Sequence, residues 1–191
     1  GRPLGPDALL PVLSISKMLA ALVVHHLHAC AHFEYDEPVA RHWPEFAAED
    51  KDAITIEQLL AHRAGLAPPI LDEYRNWREW LAPQGTERLA EVMRPRFPPG
   101  SRHAYHAQTW GYVVDGLVRR WTGLTPGAVL ARQLAGRAGS DACFLGLPDA
   151  AKPRLAALSR ASFPPLGEDL PEGGEDHLMN SPVLLAEGLS W

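Results

Sequence analysis

A serine and a lysine lie three residues apart near the start of the chain, in the tetrad Ser14-Ile15-Ser16-Lys17. Residues three apart on a helix share a face, so the lysine amine can reach the Ser14 hydroxyl. A serine hydroxyl is a weak nucleophile until a neighbouring base takes its proton, and Lys17 is placed to be that base. The same residues also fit a helix cap followed by a solvated lysine, so the tetrad alone leaves both interpretations open.

Three histidines, His25, His28 and His32, fall on one face of the same predicted helix. Zinc binds imidazoles that are presented in this way. No H-E-x-x-H arrangement accompanies them, and no further ligand is evident in the sequence. We therefore expect no metal site here, and the chemistry of the tetrad needs no organic cofactor.

Apolar periodicity predicts the helices that would carry these residues. Apolar residues recur at three- and four-residue spacing over 11–32, which predicts the first helix and places Cys30 on its buried stripe. Thr55 and Gln58 form a capping box at the start of the second helix, which we expect Gly65 to end.

The rest of the chain is also predicted to be mainly helical. Further helices are expected over 71–82, 86–93 and 109–121, the last ended by Gly123, and another starts at Thr125 with Pro126 in its first position. Loops are expected over 94–100 and 163–174, and 142–145 is the only short strand predicted. Such a chain is either a helix bundle or the helical part of a mixed fold whose sheet lies elsewhere.

Several segments besides the tetrad together resemble one known family. They are Y-D-E-P-V at 35–39, W-P-E-F at 43–46, T-I-E-Q-L-L-A-H-R-A-G-L at 55–66, P-P-G at 98–100 and Y-H-A-Q-T-W-G at 105–111. In order and separation they resemble the helical region of serine β-lactamase-like hydrolases, over about residues 11–135. The resemblance points to the class C-like branch, which includes carboxylesterases, D-aminopeptidases and acyltransferases as well as true β-lactamases.

The resemblance implies an α/β β-lactamase/transpeptidase-like fold, of which this chain is mostly the α-helical region with the sheet strands largely missing. Residues 1–191 would then form one partial β-lactamase-related domain. Ser14 would be the acylated nucleophile, Lys17 its base, and Tyr105 a second proton-handling group that serves the leaving group. The implied activity is a serine hydrolase that forms an acyl-enzyme, with carboxylesterase-type cleavage of a small ester or amide as the leading expectation.

Four positions refine that expectation. Ala107 stands where the family often has an asparagine that contacts a substrate amide, which favours esters over lactams. His106, Ala107 and Trp77 are predicted to contact substrate, although His106 also suits a structural role. Ala31 stands at a helix end where glycine is usual.

The third family motif, K-T-G or a variant such as H-x-G or W-x-G on a late sheet strand, has no counterpart in the sequence. W-T-G at 121–123 matches by letters, but its position ends a predicted helix. That strand normally supplies an oxyanion donor, whose loss costs roughly 2.7–4 kcal/mol of transition-state stabilisation in other hydrolases. Activity could therefore be impaired. A non-catalytic interaction module and an acyltransferase of the same family remain as alternatives.

Composition excludes other classes of protein. The net charge is −5, from 18 basic and 23 acidic residues, which argues against a nucleic-acid partner. The longest apolar stretch, 18–24, is far short of the roughly 20 residues that span a membrane. Residues 1–7 do not read as a secretory signal, so a cytoplasmic location is expected. The expected partner is a small-molecule ester or amide, and the sequence does not indicate an oligomeric state.

Overall fold

Regular structure is almost entirely helical over the residues that the computed structural model describes, which are 4–66, 85–107 and 109–156. The α-helices are α1 (Ser16–Ala29), α2 (Val39–His42), α3 (Ile56–Leu60), α4 (Gly85–Val92), α5 (Thr109–Thr122) and α6 (Pro126–Val129). Three 3-10 turns (Leu13–Ile15, Pro44–Ala47 and Asp149–Arg154) and one π-helical turn (Leu130–Ala135) complete the set. Within these ranges β pairing is limited to two isolated bridges, Leu9 with Leu155 and Pro38 with Thr55.

The core is built around α1 and α5, which pack against each other. Both helices bury apolar residues at three- and four-residue spacing, as the periodicity predicted. The buried side chains of α1 are Ala20, Val23, Val24 and Leu27, and the largest of α5 are Trp110, Tyr112, Val113, Val114, Leu117 and Val118. Packing of these two helices sets the position of the tetrad at 14–17 relative to the segment that follows Tyr105.

The predicted starts of two helices are confirmed. Thr55 accepts a hydrogen bond from the backbone N–H of Gln58, whose side chain accepts one from the Thr55 backbone, so the capping box is complete. Thr125 accepts from the Ala128 N–H at 3.1 Å, with Pro126 in the first helical position. These caps are local, because each satisfies helix N–H groups within three residues of the capping side chain.

The predicted ends are confirmed in part. α4 and α5 match the predictions over 86–93 and 109–121 closely, and Gly123 follows α5 with φ +71°. The prediction for the second helix is wrong at its end, because α3 stops at Leu60 and His62 already has φ +57°. The carbonyls of 62, 63 and 65 accept hydrogen bonds from the N–H groups of 104, 100 and 96. Pairing between two loops has therefore replaced further helical turns.

Two further predictions are wrong. Cys30 is exposed, because α1 ends at Ala29 and the chain turns at Ala31, which has φ +61°. The strand predicted over 142–145 is irregular and has no strand partner among the described residues. Its Leu145 carbonyl instead lies against the start of α6, where a Cβ on Gly127 would come within 1.9 Å of that oxygen. The loop expected over 94–100 is confirmed, whereas the helix expected over 71–82 and the loop over 163–174 lie outside the described residues.

One lysine is wholly buried at the junction between the first half of the chain and α4. Lys51 has no exposed surface, and its ammonium donates to the carbonyls of Ala48, Glu91 and Met93 at 2.6–2.7 Å. Burial lowers the pKa of Lys51 to about 8, although Glu49 and other nearby carboxylates oppose the shift. The three hydrogen bonds tie the segment after Pro44–Ala47 to the end of α4.

Three exposed apolar residues lie along the first turns of α1 and the 3-10 turn that precedes it. Ile15, Met18 and Leu22 fall at three- and four-residue spacing and are 59%, 70% and 49% exposed. We call these three residues the outer stripe. Within the described residues, no helix is long and apolar enough to cross a membrane.

Candidate active site

Ser14 and Lys17 are brought together at the entry to α1. Ser14 lies in the 3-10 turn Leu13–Ile15, and Lys17 lies in the first turn of α1. Leu13, immediately before the serine, has φ +46°, a conformation that side chains other than glycine rarely adopt. The Lys17 Nζ donates a hydrogen bond to the Ser14 Oγ at 3.4 Å, and both residues are half-buried.

Tyr105 and Ala107 approach the same lysine from a distant part of the sequence. The Lys17 Nζ donates to the backbone carbonyl of Ala107 at 2.6 Å and lies 5.1 Å from the centroid of the Tyr105 ring. Tyr105 is 50% exposed, so its ring stands at the surface of the site. The three residues that the sequence analysis assigned to catalysis, Ser14, Lys17 and Tyr105, therefore form one cluster.

The segment that carries Tyr105 is held by the loop that follows α3. The Ala104 N–H donates to the His62 carbonyl at 3.0 Å, and the His106 N–H donates to the His62 Nδ1 at 3.1 Å. The Leu66 N–H donates to the His106 Nε2 at 2.8 Å. At the start of α5, the Thr109 hydroxyl donates to the Leu66 carbonyl at 2.7 Å. These contacts fix the path of the chain on both sides of the Lys17 contact.

The surroundings of His62, in the loop after α3, and of His106, in the segment before α5, disfavour positive charge on both side chains. Burial, followed by the charge of His62, lowers the pKa of His106 to about 4. Burial also lowers the pKa of His62, with smaller contributions from the positive charges of Lys17 and His103. Both imidazoles are therefore neutral at pH 7.

The three residues predicted to contact substrate, Ala107, His106 and Trp77, do not all lie at the site. Ala107 reaches the site through its carbonyl. His106 has no exposed surface, and its side chain points into the loop that follows α3, which suits a structural role better than contact with substrate. Trp77 lies outside the described residues.

His25 and His28, two of the three histidines predicted to share a helix face, make contacts with other side chains. The His25 Nδ1 is hydrogen-bonded to the Tyr35 hydroxyl, and the His28 ring stacks on the Tyr35 ring at 4.2 Å between centroids. The His28 Nε2 also lies 3.2 Å from the Glu34 carboxylate. Among the described residues, no group of three or more histidine, cysteine or carboxylate side chains could hold a metal ion.

Sequence reasoning missed the role of the Ala107 backbone. The residue type at 107 indicates only that a side-chain amide is absent, and a carbonyl that accepts from a lysine has no sequence signature. His62 was visible as the histidine of the run at 55–66, but its two hydrogen bonds to His106 depend on a residue 44 positions later. Both contacts follow from tertiary packing.

A small cavity of about 50 Å³ lies between α1, α5 and the start of α6. Its walls are mainly apolar and include Ala20, Trp110, Val114 and Leu145, with Ser16 and Lys17 at one side. Lys17 therefore lines this cavity as well as contacting Ser14 and the Ala107 carbonyl.

A protein-family model and two curated proteins resemble this chain in sequence. A family model described as Beta-lactamase matches residues 1–181. Among curated proteins, the chain is 31% identical over 155 residues to "Esterase/beta-lactamase LipL" of Mycobacterium tuberculosis (strain ATCC 25618 / H37Rv), covering 81% of this chain and 35% of that protein. It is 37% identical over 76 residues to "Esterase EstB" of Burkholderia gladioli, covering 38% of this chain and 19% of that protein.

Solved structures show the same likeness. A penicillin-binding protein homolog from Caulobacter crescentus matches with a TM-score of 0.74 and 39% identity, over 83% of this chain and 42% of that one. A family VIII carboxylesterase matches with a TM-score of 0.73 and 32% identity, over 82% of this chain and 42% of that one. The chain thus spans less than half the length of these relatives, and its described part is their helical region. The predicted fold is confirmed, and the chain belongs to the serine β-lactamase-related family.

Proposed function

We propose that this chain carries the nucleophile and base of a serine hydrolase that cleaves carboxylic esters through an acyl-enzyme. The observation that carries the proposal is the position of the Lys17 Nζ, 3.4 Å from the Ser14 Oγ and 2.6 Å from the Ala107 carbonyl. A hydroxyl and an amine at this separation can exchange a proton with little motion. The structural likeness to a family VIII carboxylesterase and the esterase names of the curated relatives support the same reaction class.

The first step is proton transfer from the Ser14 hydroxyl to the neutral amine of Lys17. A neutral amine can keep one N–H directed to the Ala107 carbonyl while its lone pair faces the serine. The Ser14 Oγ then attacks the ester carbon, the carbonyl π electrons move to the oxygen, and a tetrahedral intermediate forms. The Ala107 carbonyl thus orients the base.

The second step expels the alcohol and leaves an ester on Ser14. The departing oxygen needs a proton, and Tyr105 is the hydroxyl-bearing side chain whose ring lies beside Lys17. We assign to Tyr105 the transfer of that proton from the Lys17 ammonium to the leaving group. Water then attacks the acyl carbon while its proton passes through Tyr105 to Lys17. The bond between the acyl carbon and the Ser14 Oγ breaks, Lys17 returns the proton to Ser14, and the acid is released.

Ala107 bears on the class of substrate. A methyl side chain at this position cannot hydrogen-bond a substrate amide, whereas an ester needs no such contact. The proposal therefore commits to small esters before amides or lactams. Attack on the acyl-enzyme by an alcohol or amine in place of water would give an acyltransferase, and product analysis in the presence of an added alcohol distinguishes the two.

No segment of residues 1–191 matches the third family motif. W-T-G at 121–123 is the end of α5, and Gly123 has φ +71° there, so it cannot serve as a strand motif. Turnover of an ester also depends on the oxyanion donor that this motif's strand normally supplies, whereas the proposal concerns Ser14 and Lys17. Acylation by a reactive probe is accordingly a better test than turnover.

The test is covalent labelling with a fluorophosphonate probe followed by intact-mass measurement. We expect one adduct per chain, located on Ser14, and we expect Ser14→Ala to abolish it. Ser16→Ala is the matched control in the same tetrad and should label at the wild-type rate. The proposal fails if folded wild-type protein gains no adduct, or if the adduct survives in Ser14→Ala.

A second candidate function is a non-catalytic interaction module. The outer stripe favours it, because three exposed apolar residues on one helix face are typical of a surface that another polypeptide covers. Absence of labelling on well-folded chain would favour this candidate. Labelling of Ser14 would show that any such surface accompanies catalysis.

A further inference from the structure

We propose that His106 and His62 are positioning residues that hold Tyr105 and the Ala107 carbonyl against Lys17. This inference rests on the proposed function of Ser14 and Lys17. It concerns two imidazoles, the wholly buried His106 and the half-buried His62, that touch neither the serine nor the leaving group and that act through the backbone of 105–107.

The direction of the side chains shows how the pair would act. Residues 102–106 form an irregular stretch without helix or turn, in which Tyr105 is 50% exposed and His106 has no exposed surface. Neighbouring residues thus point to opposite sides. Because the His106 ring is held in the interior, the Tyr105 ring points toward the surface. The Ala107 carbonyl belongs to the next residue, so its position is also set by His106.

The hydrogen bonds also set where each ring proton lies. The Leu66 N–H can only donate, so the His106 Nε2 must accept and carry no proton. In a neutral ring the proton is then on the His106 Nδ1, which donates to the His62 Nδ1 at 3.3 Å. The His62 Nδ1 also accepts from the His106 backbone N–H, so the proton of His62 is on Nε2.

Protonation of the pair would break this chain of donors and acceptors. A second proton on His106 would place an N–H against the Leu66 N–H, and a second proton on His62 would face two donors. The groups that surround the pair oppose such charge. After burial, the Coulomb interactions with Lys17 on α1 and His103 on the adjoining loop lower the pKa of His62, and the neighbouring rings are those of Tyr105 and Trp110.

His62 has a backbone feature that permits a sharp test. Its φ of +57° is a conformation that asparagine and glycine adopt more readily than other residues. The Oδ1 of an asparagine occupies nearly the place of a histidine Nδ1, so His62→Asn keeps an acceptor for both His106 donors. His62→Gly relieves the same backbone strain and removes the acceptor. The pair of variants therefore separates the hydrogen bonds from the backbone conformation.

The experiment measures fluorophosphonate labelling of Ser14 in wild type, His62→Asn and His62→Gly, with kinact and KI determined separately. We expect His62→Asn to retain the wild-type kinact, and His62→Gly to lose roughly 10–100-fold in kinact, as small misplacements of reacting groups do. KI should stay unchanged in both, because neither histidine is expected to contact the probe. Thermal unfolding of each variant checks that the chain is folded.

A second measurement does not depend on activity or on a variant. Long-range ¹H–¹⁵N spectra of the wild-type chain at pH 7 report the tautomer of each histidine. We expect the proton on Nδ1 of His106 and on Nε2 of His62. A charged His106, or the opposite tautomer in either ring, would overturn the inference.

The outcomes separate this inference from the proposed function. Equal kinact in His62→Gly and wild type would overturn the positioning role and leave Ser14 as the nucleophile. No labelling of wild type would overturn both. A slow His62→Asn variant, as slow as His62→Gly, would show that the hydrogen bonds to His106 are not what His62 contributes.

Discussion

The Lys17 Nζ and the Ala107 carbonyl oxygen lie 2.6 Å apart, although 90 positions separate the two residues in the chain. The acceptor belongs to the backbone, so the contact does not depend on the side chain at 107. The family's usual asparagine and this chain's alanine can therefore present the same oxygen to the lysine. The difference between them is confined to what the side chain offers a substrate.

Ala107→Asn should keep the chemistry and change its preference. We expect fluorophosphonate labelling of Ser14 at the wild-type rate, because the carbonyl that orients Lys17 is unchanged. Cleavage of a chromogenic cephalosporin should rise relative to that of p-nitrophenyl acetate, since an amide side chain can hydrogen-bond the lactam amide. Ala31→Asn, at an exposed position beyond the other end of α1, should change neither ratio nor rate. A loss of labelling in Ala107→Asn would contradict the assignment of the carbonyl.

His106 should make the fold less stable in acid. The pKa of His106 is about 4 in the folded chain and about 6.5 when the chain is unfolded. Between these values the unfolded chain binds more protons, so the free energy of unfolding falls as pH falls, by roughly 3 kcal/mol from this residue in total. Below about pH 4 the contribution of His106 levels off.

Urea unfolding between pH 7.5 and 4 checks this prediction. His106→Gln retains a side chain that can accept from the Leu66 N–H but has no charge to gain. Its stability should therefore vary less with pH than that of wild type. Parallel curves for the two proteins would exclude His106 as the source of acid sensitivity.

Lys51 should be far more important for stability than its residue type suggests. Lys51→Met fills a similar volume but leaves the carbonyls of Ala48, Glu91 and Met93 without their donor. We expect a loss of at least about 2 kcal/mol in the free energy of unfolding, because buried carbonyls without partners are costly. Lys152→Met is the control: its side chain is 64% exposed, and its partner Asp149 is still more exposed. There we expect a change within about 0.5 kcal/mol.

Ala31 holds a conformation that its Cβ disfavours. With φ +61°, Ala31→Gly should raise the free energy of unfolding by about 1 kcal/mol, since glycine adopts this conformation without steric cost. Ala29→Gly, in the last turn of α1, should have the opposite effect, because glycine loses more backbone entropy in a helix. Thermal unfolding midpoints of the two variants should therefore move in opposite directions. A lower midpoint for Ala31→Gly would show that the strain at this residue is absent in solution.

The sequence predicted those features whose causes are local. The capping box at Thr55 and Gln58, and the start of α6 at Thr125, depend on side chains within three residues of the groups they satisfy. Apolar spacing similarly located α5, and the order of motifs identified the family. In each case the physical signal is contained in one short segment or in a series of them.

The errors have a common origin in contacts between distant residues. α3 stops at Leu60, and the carbonyls of 62, 63 and 65 that follow accept hydrogen bonds from residues 31 to 42 positions away. Residues 142–145 have the composition of a strand, but Leu145 packs against α6 and finds no partner strand in the described part of the chain. At the site, the acceptor for Lys17 is a backbone oxygen. None of these relations can be read from residue type or spacing.

The outer stripe lies beside the proposed catalytic residues at the start of the first helix. Ile15 lies next to Ser14 in the chain, and Met18 lies next to Lys17, so two of its three side chains adjoin the residues proposed to react. A polypeptide bound to that face would contact the chain within one helical turn of Ser14. A partner bound to this face and a substrate acylating Ser14 would therefore be close neighbours on the protein surface.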